Sequence, residues 1–145
     1  MSLKVGDLVP YFELKDQKGE LFKSNSVIGQ KPAVVYFYPK DETPGCTAEA
    51  CSFRDSYEDF KELGAEVIGI SSDSIGSHKR FAQRHRLPFI LLADTKKVVH
   101  RLFKLPKILF GLYIKRITFV IDEKGVIENI ITKVKTKEHT AQILK

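Results

Sequence analysis

Residues 33–55 read AVVYFYPKDETPGCTAEACSFRD. The first six, Ala33 to Tyr38, form a continuous apolar and β-prone run, the pattern of a strand covered on both faces. A Pro/Gly loop, PKDETPG, follows, and beyond it the apolar residues change period. Cys46, Ala50, Phe53, Tyr57 and Phe60 fall at i, i+4, i+7, i+11 and i+14, one stripe of a helix expected to run from Cys46 to Leu63. Gly64 then supplies a left-handed stop.

The same alternation continues downstream. Glu66 to Ser71 reads as a second buried strand, and Asp73 or Ser74 can cap a helix from Ile75 to Arg86, before Pro88. Phe89 to Leu92 is a short strand, and Lys96 to Phe103 a helix. Ile117–Ile121 and Val126–Ile131 flank the turn DEKG as a hairpin, and a last helix begins near Lys137. Upstream, Tyr11–Leu14 and Glu20–Phe22 flank DQKG as a small N-terminal hairpin. Alternating strands and helices, then a hairpin, then a helix imply an α/β fold: a mixed central sheet with helices on both faces, of thioredoxin-like kind. There is no internal repeat, low-complexity tract or linker, so residues 1–145 are expected to form one domain.

Composition bounds the function. Hydrophobic residues make up 43% and charged residues 29%, ordinary for a globular domain. The longest apolar stretches fall far short of a membrane span. MSLKVGDLVP has no apolar signal core and no Arg/Ser-rich leader, which sets a cytoplasmic expectation. The net charge of +6 is scattered rather than run together. Its densest region is Arg101 to Arg116, RLFKLPKILFGLYIKR, where Pro106 and Gly111 interrupt any long helix. We read it as a packed loop with snorkelling lysines, not as a nucleic-acid or membrane-surface segment.

Two cysteines make no disulfide framework. Four residues separate Cys46 from Cys51, neither the spacing of a dithiol oxidoreductase nor a usual zinc pairing. His78 and His85 would stand about 10 Å apart along a helix, too far to share one ion, so neither metal nor cofactor is expected. Cys46 falls at a helix start, where unpaired N–H groups and the helix dipole stabilise an anion. That makes it a candidate reactive thiolate; the alternative is a small buried hydrophobe. Residues five apart in an ideal helix have Cα atoms about 8–9 Å apart, beyond the roughly 4.4–6.8 Å of a disulfide. Cys46 and Cys51 can therefore bond only if the first turn or two unwinds. This disfavours a structural bridge and suits a cycle of reduced helical and oxidised unwound states, unless Cys51 merely packs.

PKDETPGC places Pro39, Thr43 and Cys46 in the pattern Pro, three residues, Thr, two residues, Cys. It resembles the active-site motif of the peroxiredoxins, and a second cysteine five residues on is similar to the peroxiredoxin Q group, also called bacterioferritin comigratory proteins. VIGISSDS at 67–74, SHKRFAQRHRLPFILLAD at 77–94 and KRITFVIDEKGVI at 115–127 resemble the group in order. FKLPKILFGLYIK at 103–115 is more apolar than the group's pattern.

The resemblance implies a monomeric thiol peroxidase acting on hydrogen peroxide and organic hydroperoxides. Cys46 attacks the peroxide, Cys51 resolves the product to an intramolecular disulfide, and thioredoxin or a similar dithiol restores both thiols. Pro39 shields the thiolate, and Thr43 hydrogen-bonds the peroxide. Arg116 matches the family's active-site arginine, and Glu49 orients its guanidinium. Backbone N–H groups of Gly45 and Cys46 join Arg116 and Thr43 in stabilising the transition state. Arg54 and Asp55 are expected to be a structural pair. Two rivals are a disulfide reductase on the same fold, which wants two cysteines within one turn, and a non-catalytic module binding through the basic Lys104–Lys115 region.

Overall fold

The computed structural model describes residues 3–105, 116–132 and 139–144. Its strands are β1 (Glu13–Asp16), β2 (Leu21–Lys23), β3 (Ala33–Phe37), β4 (Glu66–Ser71), β5 (Ile90–Ala93), β6 (Ile117–Ile121) and β7 (Ile127–Ile131). Its helices are α1 (Pro44–Asp55), α2 (Tyr57–Glu62), α3 (Ile75–His85), α4 (Val98–Leu102) and α5 (His139–Leu144).

The seven strands form one mixed sheet in the order β2-β1-β5-β4-β3-β6-β7. β3, β4 and β5 run parallel at its centre, in register Ala33↔Glu66 to Phe37↔Ile70 and Ile68↔Ile90 to Ser71↔Ala93. These continuous apolar runs can lie there because both sheet faces are covered. β6 runs antiparallel to β3, so Ile117 pairs with Phe37 and Ile121 with Ala33. The start of β6 thus lies beside the end of β3, and Arg116 emerges where the PKDETPG loop departs.

Alternation along β3 feeds two cores. Val35 and Phe37 join Phe12, Ile68, Ile70, Val99, Phe103 and Phe119 on one face, against α4. Val34, Tyr36 and Tyr38 join Ala50, Phe53, Phe60, Phe81 and Phe89 on the other, against α1, α2 and α3. Tyr36 stacks on Phe53 with ring centroids 4.6 Å apart. Gly69 makes room for it: a Cβ there would sit 2.9 Å from the Tyr36 hydroxyl and from Leu91 Cδ2.

The α/β architecture with helices on both faces agrees with the sequence reading. Several boundaries differ. The helix expected over Cys46–Leu63 begins at Pro44 and is broken at Ser56, whose φ of −107° and ψ of 11° leave the helical region. Phe53 and Phe60 stay buried on either side of the break, 5.8 Å apart by ring centroid. Apolar periodicity records which side faces the sheet, not whether the backbone is unbroken. Ser74, not Asp73, caps α3, accepting from Ser77 N–H at 3.1 Å. α4 starts at Val98 because Lys97 takes a left-handed φ of 57°. The N-terminal hairpin pairs Glu13 with Lys23, later along the chain than expected. Residues 106–115 of the basic segment, on which the packed-loop expectation rests, and the expected start of the last helix at Lys137 lie outside the described residues. No described helix is long and apolar enough to cross a membrane.

Candidate active site

Pro44 opens α1 at its first position, where its fixed φ is pre-formed and its missing N–H would have had no intrahelical partner. Thr43 is the N-cap in extended conformation. Cys46 is therefore the third helical residue, and its N–H and that of Gly45 point out of the helix start. Burial of the Cys46 side chain is nearly complete, at 1% exposure.

Arg116 reaches this sulfur from the start of β6. Its Nη1 donates to Cys46 Sγ at 2.9 Å. The guanidinium lies against the backbone of Gly45, where a Cβ would collide with Nη2 and stand 3.2 Å from Cζ. Glycine at 45 is thus what lets the arginine lie flat on the helix start. Glu49, one turn beyond Cys46, is fully buried with Oε1 3.7 Å from Arg116 Nη1. Burial pushes its carboxyl up to about 8, against the opposing pull of the guanidinium.

Thr43 Oγ1 donates to Lys40 O at 2.9 Å. Its proton is committed within the loop, which leaves its oxygen as an acceptor. Pro39 follows β3 after Tyr38 and is half-buried. Cys51 is half-buried in the unbroken part of α1, and both cysteines are free thiols. Arg54 Nε pairs with Asp55 Oδ1 at 3.0 Å, while its Nη1 donates to His85 O at 2.8 Å. Of the residues singled out from sequence, Cys46, Arg116 and Glu49 converge directly, with Thr43 as the cap of the same helix.

Sequence reasoning passed over two residues of the loop itself. Asp41 is buried and accepts from the hydroxyls of Tyr38 (2.6 Å) and Ser77 (2.8 Å). His78, fully buried on α3, places Nδ1 2.7 Å from Asp41 Oδ2 and Nε2 3.0 Å from Leu92 O. Both ring nitrogens thus lie against oxygens, which fixes the orientation of the ring. The backbone N–H of Asp41 donates to Asp73 Oδ2 at 2.8 Å. Next in sequence, Glu42 Oε1 accepts from His85 Nε2 at 2.9 Å. The sequence offered only two acidic residues in a loop and two histidines seven apart; their pairing is tertiary and has no local signal. Asp41, Asp73 and His78 also bring one ligand atom each within 4.8 Å of one another, the metal-like grouping among the described residues. Those atoms are taken up by the hydrogen bonds just given, so the cluster reads as a clamp on the loop.

A thioredoxin-like mixed sheet that presents an arginine-held thiol at a helix start defines a thiol-chemistry protein. The profile of the AhpC/TSA family matches residues 5–130. Peroxiredoxin Bcp of Bacillus subtilis (strain 168) is 45% identical over 150 residues, covering 100% of this chain and 95% of that one. The chloroplastic peroxiredoxin Q of Triticum aestivum is 49% identical over 141 residues, covering 97% of this chain. This chain spans 64% of that plant protein's length. The crystal structure of peroxidoxin BcpB from Mycobacterium tuberculosis superposes with a TM-score of 0.90 at 36% identity, over 98% of this chain and 94% of that one. The chain belongs to the AhpC/TSA family, within the peroxiredoxins of the Q/Bcp group.

Proposed function

We propose that this chain is a thiol-dependent peroxidase that reduces hydrogen peroxide and organic hydroperoxides through Cys46. The observation that carries the reading is the guanidinium of Arg116 fixed 2.9 Å from the Cys46 sulfur at a helix start. The thiolate sulfur attacks one peroxide oxygen. An S–O bond forms as the O–O bond breaks, and the second oxygen leaves with the electron pair and takes up a proton as water or an alcohol. Cys46 becomes a sulfenic acid.

Ionisation alone is a small part of the acceleration. An ordinary thiol is already a few per cent ionised near neutral pH, so full ionisation is worth about one to two orders of magnitude. A stronger acid is also a weaker nucleophile. The larger share falls to donors fixed where charge develops. Arg116 and the N–H groups of Gly45 and Cys46 are those donors, while the Thr43 oxygen accepts from the peroxide hydroxyl. Pro39 screens the sulfur from water, and Glu49 holds the guanidinium from behind.

Resolution follows at Cys51. Its thiol attacks the sulfenic sulfur, an S–S bond forms and water leaves. An external dithiol of thioredoxin type then restores both cysteines by exchange and is itself oxidised. The intact α1 must open for this step. The likeness to the Q/Bcp group is what supports a monomer, and two cysteines that make no disulfide framework suit a reducing, cytoplasmic compartment.

The test is intact-mass analysis of peroxide-treated, thiol-blocked protein, wild type and Cys51→Ser. Expected are loss of two hydrogens and both thiols in wild type, and sulfenic or over-oxidised Cys46 in the variant. Unreacted cysteines in both would overturn the proposal. Oxidised Cys46 beside an unmodified Cys51 in wild type would make an external thiol the resolving group.

A further inference from the structure

The helix carrying both cysteines is held at its two ends by one residue. The imidazole of His85 donates from Nε2 to Glu42 Oε1 at 2.9 Å, just before the helix. The carbonyl of His85 accepts from Arg54 Nη1 at 2.8 Å, at the helix's far end. Arg84 adds its Nε at 3.7 Å from Glu42 Oε2. Glu42 has a left-handed φ of 63°, a conformation that side chains with a Cβ adopt at a cost, so something must hold it there. Its neighbour Asp41 is fixed to His78, on the same face of α3 two turns before His85.

We propose that His85 is a positioning residue for the Cys46 reaction, acting through Glu42. This rests on the peroxidase reading above. The clasp sets the backbone that enters Thr43, Pro44 and Gly45, and with it the aim of their donors and acceptors at the peroxide. It also gives the opening of α1 fixed ends. When Cys46 and Cys51 bond, the unwound stretch runs between Glu42 and Arg54, both still tied to His85. Return of Cys46 to Arg116 is then the closure of a short loop rather than a search by a free segment.

The experiment is a double-mutant cycle on the second-order rate of Cys46 oxidation by hydrogen peroxide, read by rapid mixing in a Cys51→Ser background. Glu42 and His85 are partly exposed, so their variants keep the core, and thermal melting checks this. His85→Ala and Glu42→Ala are each expected to slow oxidation about threefold, the scale of a part-exposed pair. The double variant is expected to be no slower than Glu42→Ala, because His85→Ala removes a contact that Glu42→Ala has already removed. His85→Gln, which keeps a donor, is expected to recover most of the loss. Multiplying effects, single variants as fast as their parent, or a Gln variant as slow as Ala would each overturn the clasp. An unreactive parent would instead overturn the peroxidase reading itself, a separate failure recognisable before any variant is made.

Discussion

Gly45→Ala separates the chemistry of this site from its stability. The added methyl would sit 3.2 Å from Arg116 Cζ and 3.7 Å from Nε, and would overlap Nη2. Backbone cannot yield easily here, since Pro44 and Cys46 flank the position inside α1. The long arginine side chain can, so it is the arginine that moves. Nη1 then cannot keep its 2.9 Å contact with the Cys46 sulfur. Losing one fixed donor at a charge-developing site costs roughly 10²–10³ in rate. The fold loses little, because alanine replaces glycine inside a helix with a gain of up to about 1 kcal/mol. The assay is stopped-flow oxidation of Cys46 at limiting peroxide in a Cys51→Ser background, alongside thermal melting. The expected result is a rate about a hundredfold lower with an unchanged or higher Tm. Raising the pH to ionise the thiol should not restore the rate, because the lost contribution is a positioned donor. A rate within about threefold of the parent would refute the reasoning, as would a fall in Tm large enough to leave much of the chain unfolded.

Three further outcomes follow from the same geometry. Arg116→Ala should cost more than the one to two orders of magnitude that ionisation can supply; a Cys46 oxidation rate within about threefold of the parent would remove Arg116 from the transition state. Glu49 ionises near 4.5 in the unfolded chain and near 8 in the folded one, so between those values the folded state holds a proton the unfolded state has lost. Its contribution to stability is complete below the lower value and falls as pH rises toward the upper, by up to about 1.4 kcal/mol per pH unit. Urea unfolding at several pH values should show that slope in wild type and a flatter one in Glu49→Gln, and parallel curves would count against it. Thr140→Val should loosen the far end of α1, since the Thr140 hydroxyl lies 3.2 Å from Ser52 Oγ and 3.3 Å from Ser56 Oγ. About 1 kcal/mol of stability and faster amide exchange over residues 52–57 are expected, and unchanged exchange there would show that the helix end holds without it.

The parts of the fold that could be read from sequence are those where one local pattern decides. Ala33–Phe37 and Glu66–Ser71 are buried on both faces, so their apolar runs are uninterrupted and unmistakable. The start of α1 was marked by chemistry, with Thr43, Pro44 and Gly45 preceding Cys46. The break at Ser56 left no trace, because Phe53 and Phe60 keep their place on the buried stripe across it. Arg116 is one of 24 basic residues, and only its resemblance to the family motif singled it out. What makes it reach Cys46 is the antiparallel register Phe37↔Ile117, a long-range pairing that no window of sequence contains. Glycine at 45 read as a turn residue beside Pro44. Its second role, leaving space for a side chain 71 positions away, needs the assembled site. Asp41 and Glu42 were simply part of the PKDETPG loop, and His78 and His85 a histidine pair spaced too far along a helix to share one ion. The contact between the two sets depends on how the loop lies along α3.

The antiparallel seating of β6 against β3 has a consequence for the order in which the protein acquires its reactivity. Synthesis delivers Cys46 early and the arginine that holds its sulfur 70 residues later. A nascent chain emerging with β3, α1, β4, α3 and β5 already carries the parallel strands, yet Arg116 is still to come. Only when β6 docks on the exposed edge of β3 does Arg116 arrive. Until then the sulfur lacks its arginine partner, and the site is completed only when the sheet is nearly finished.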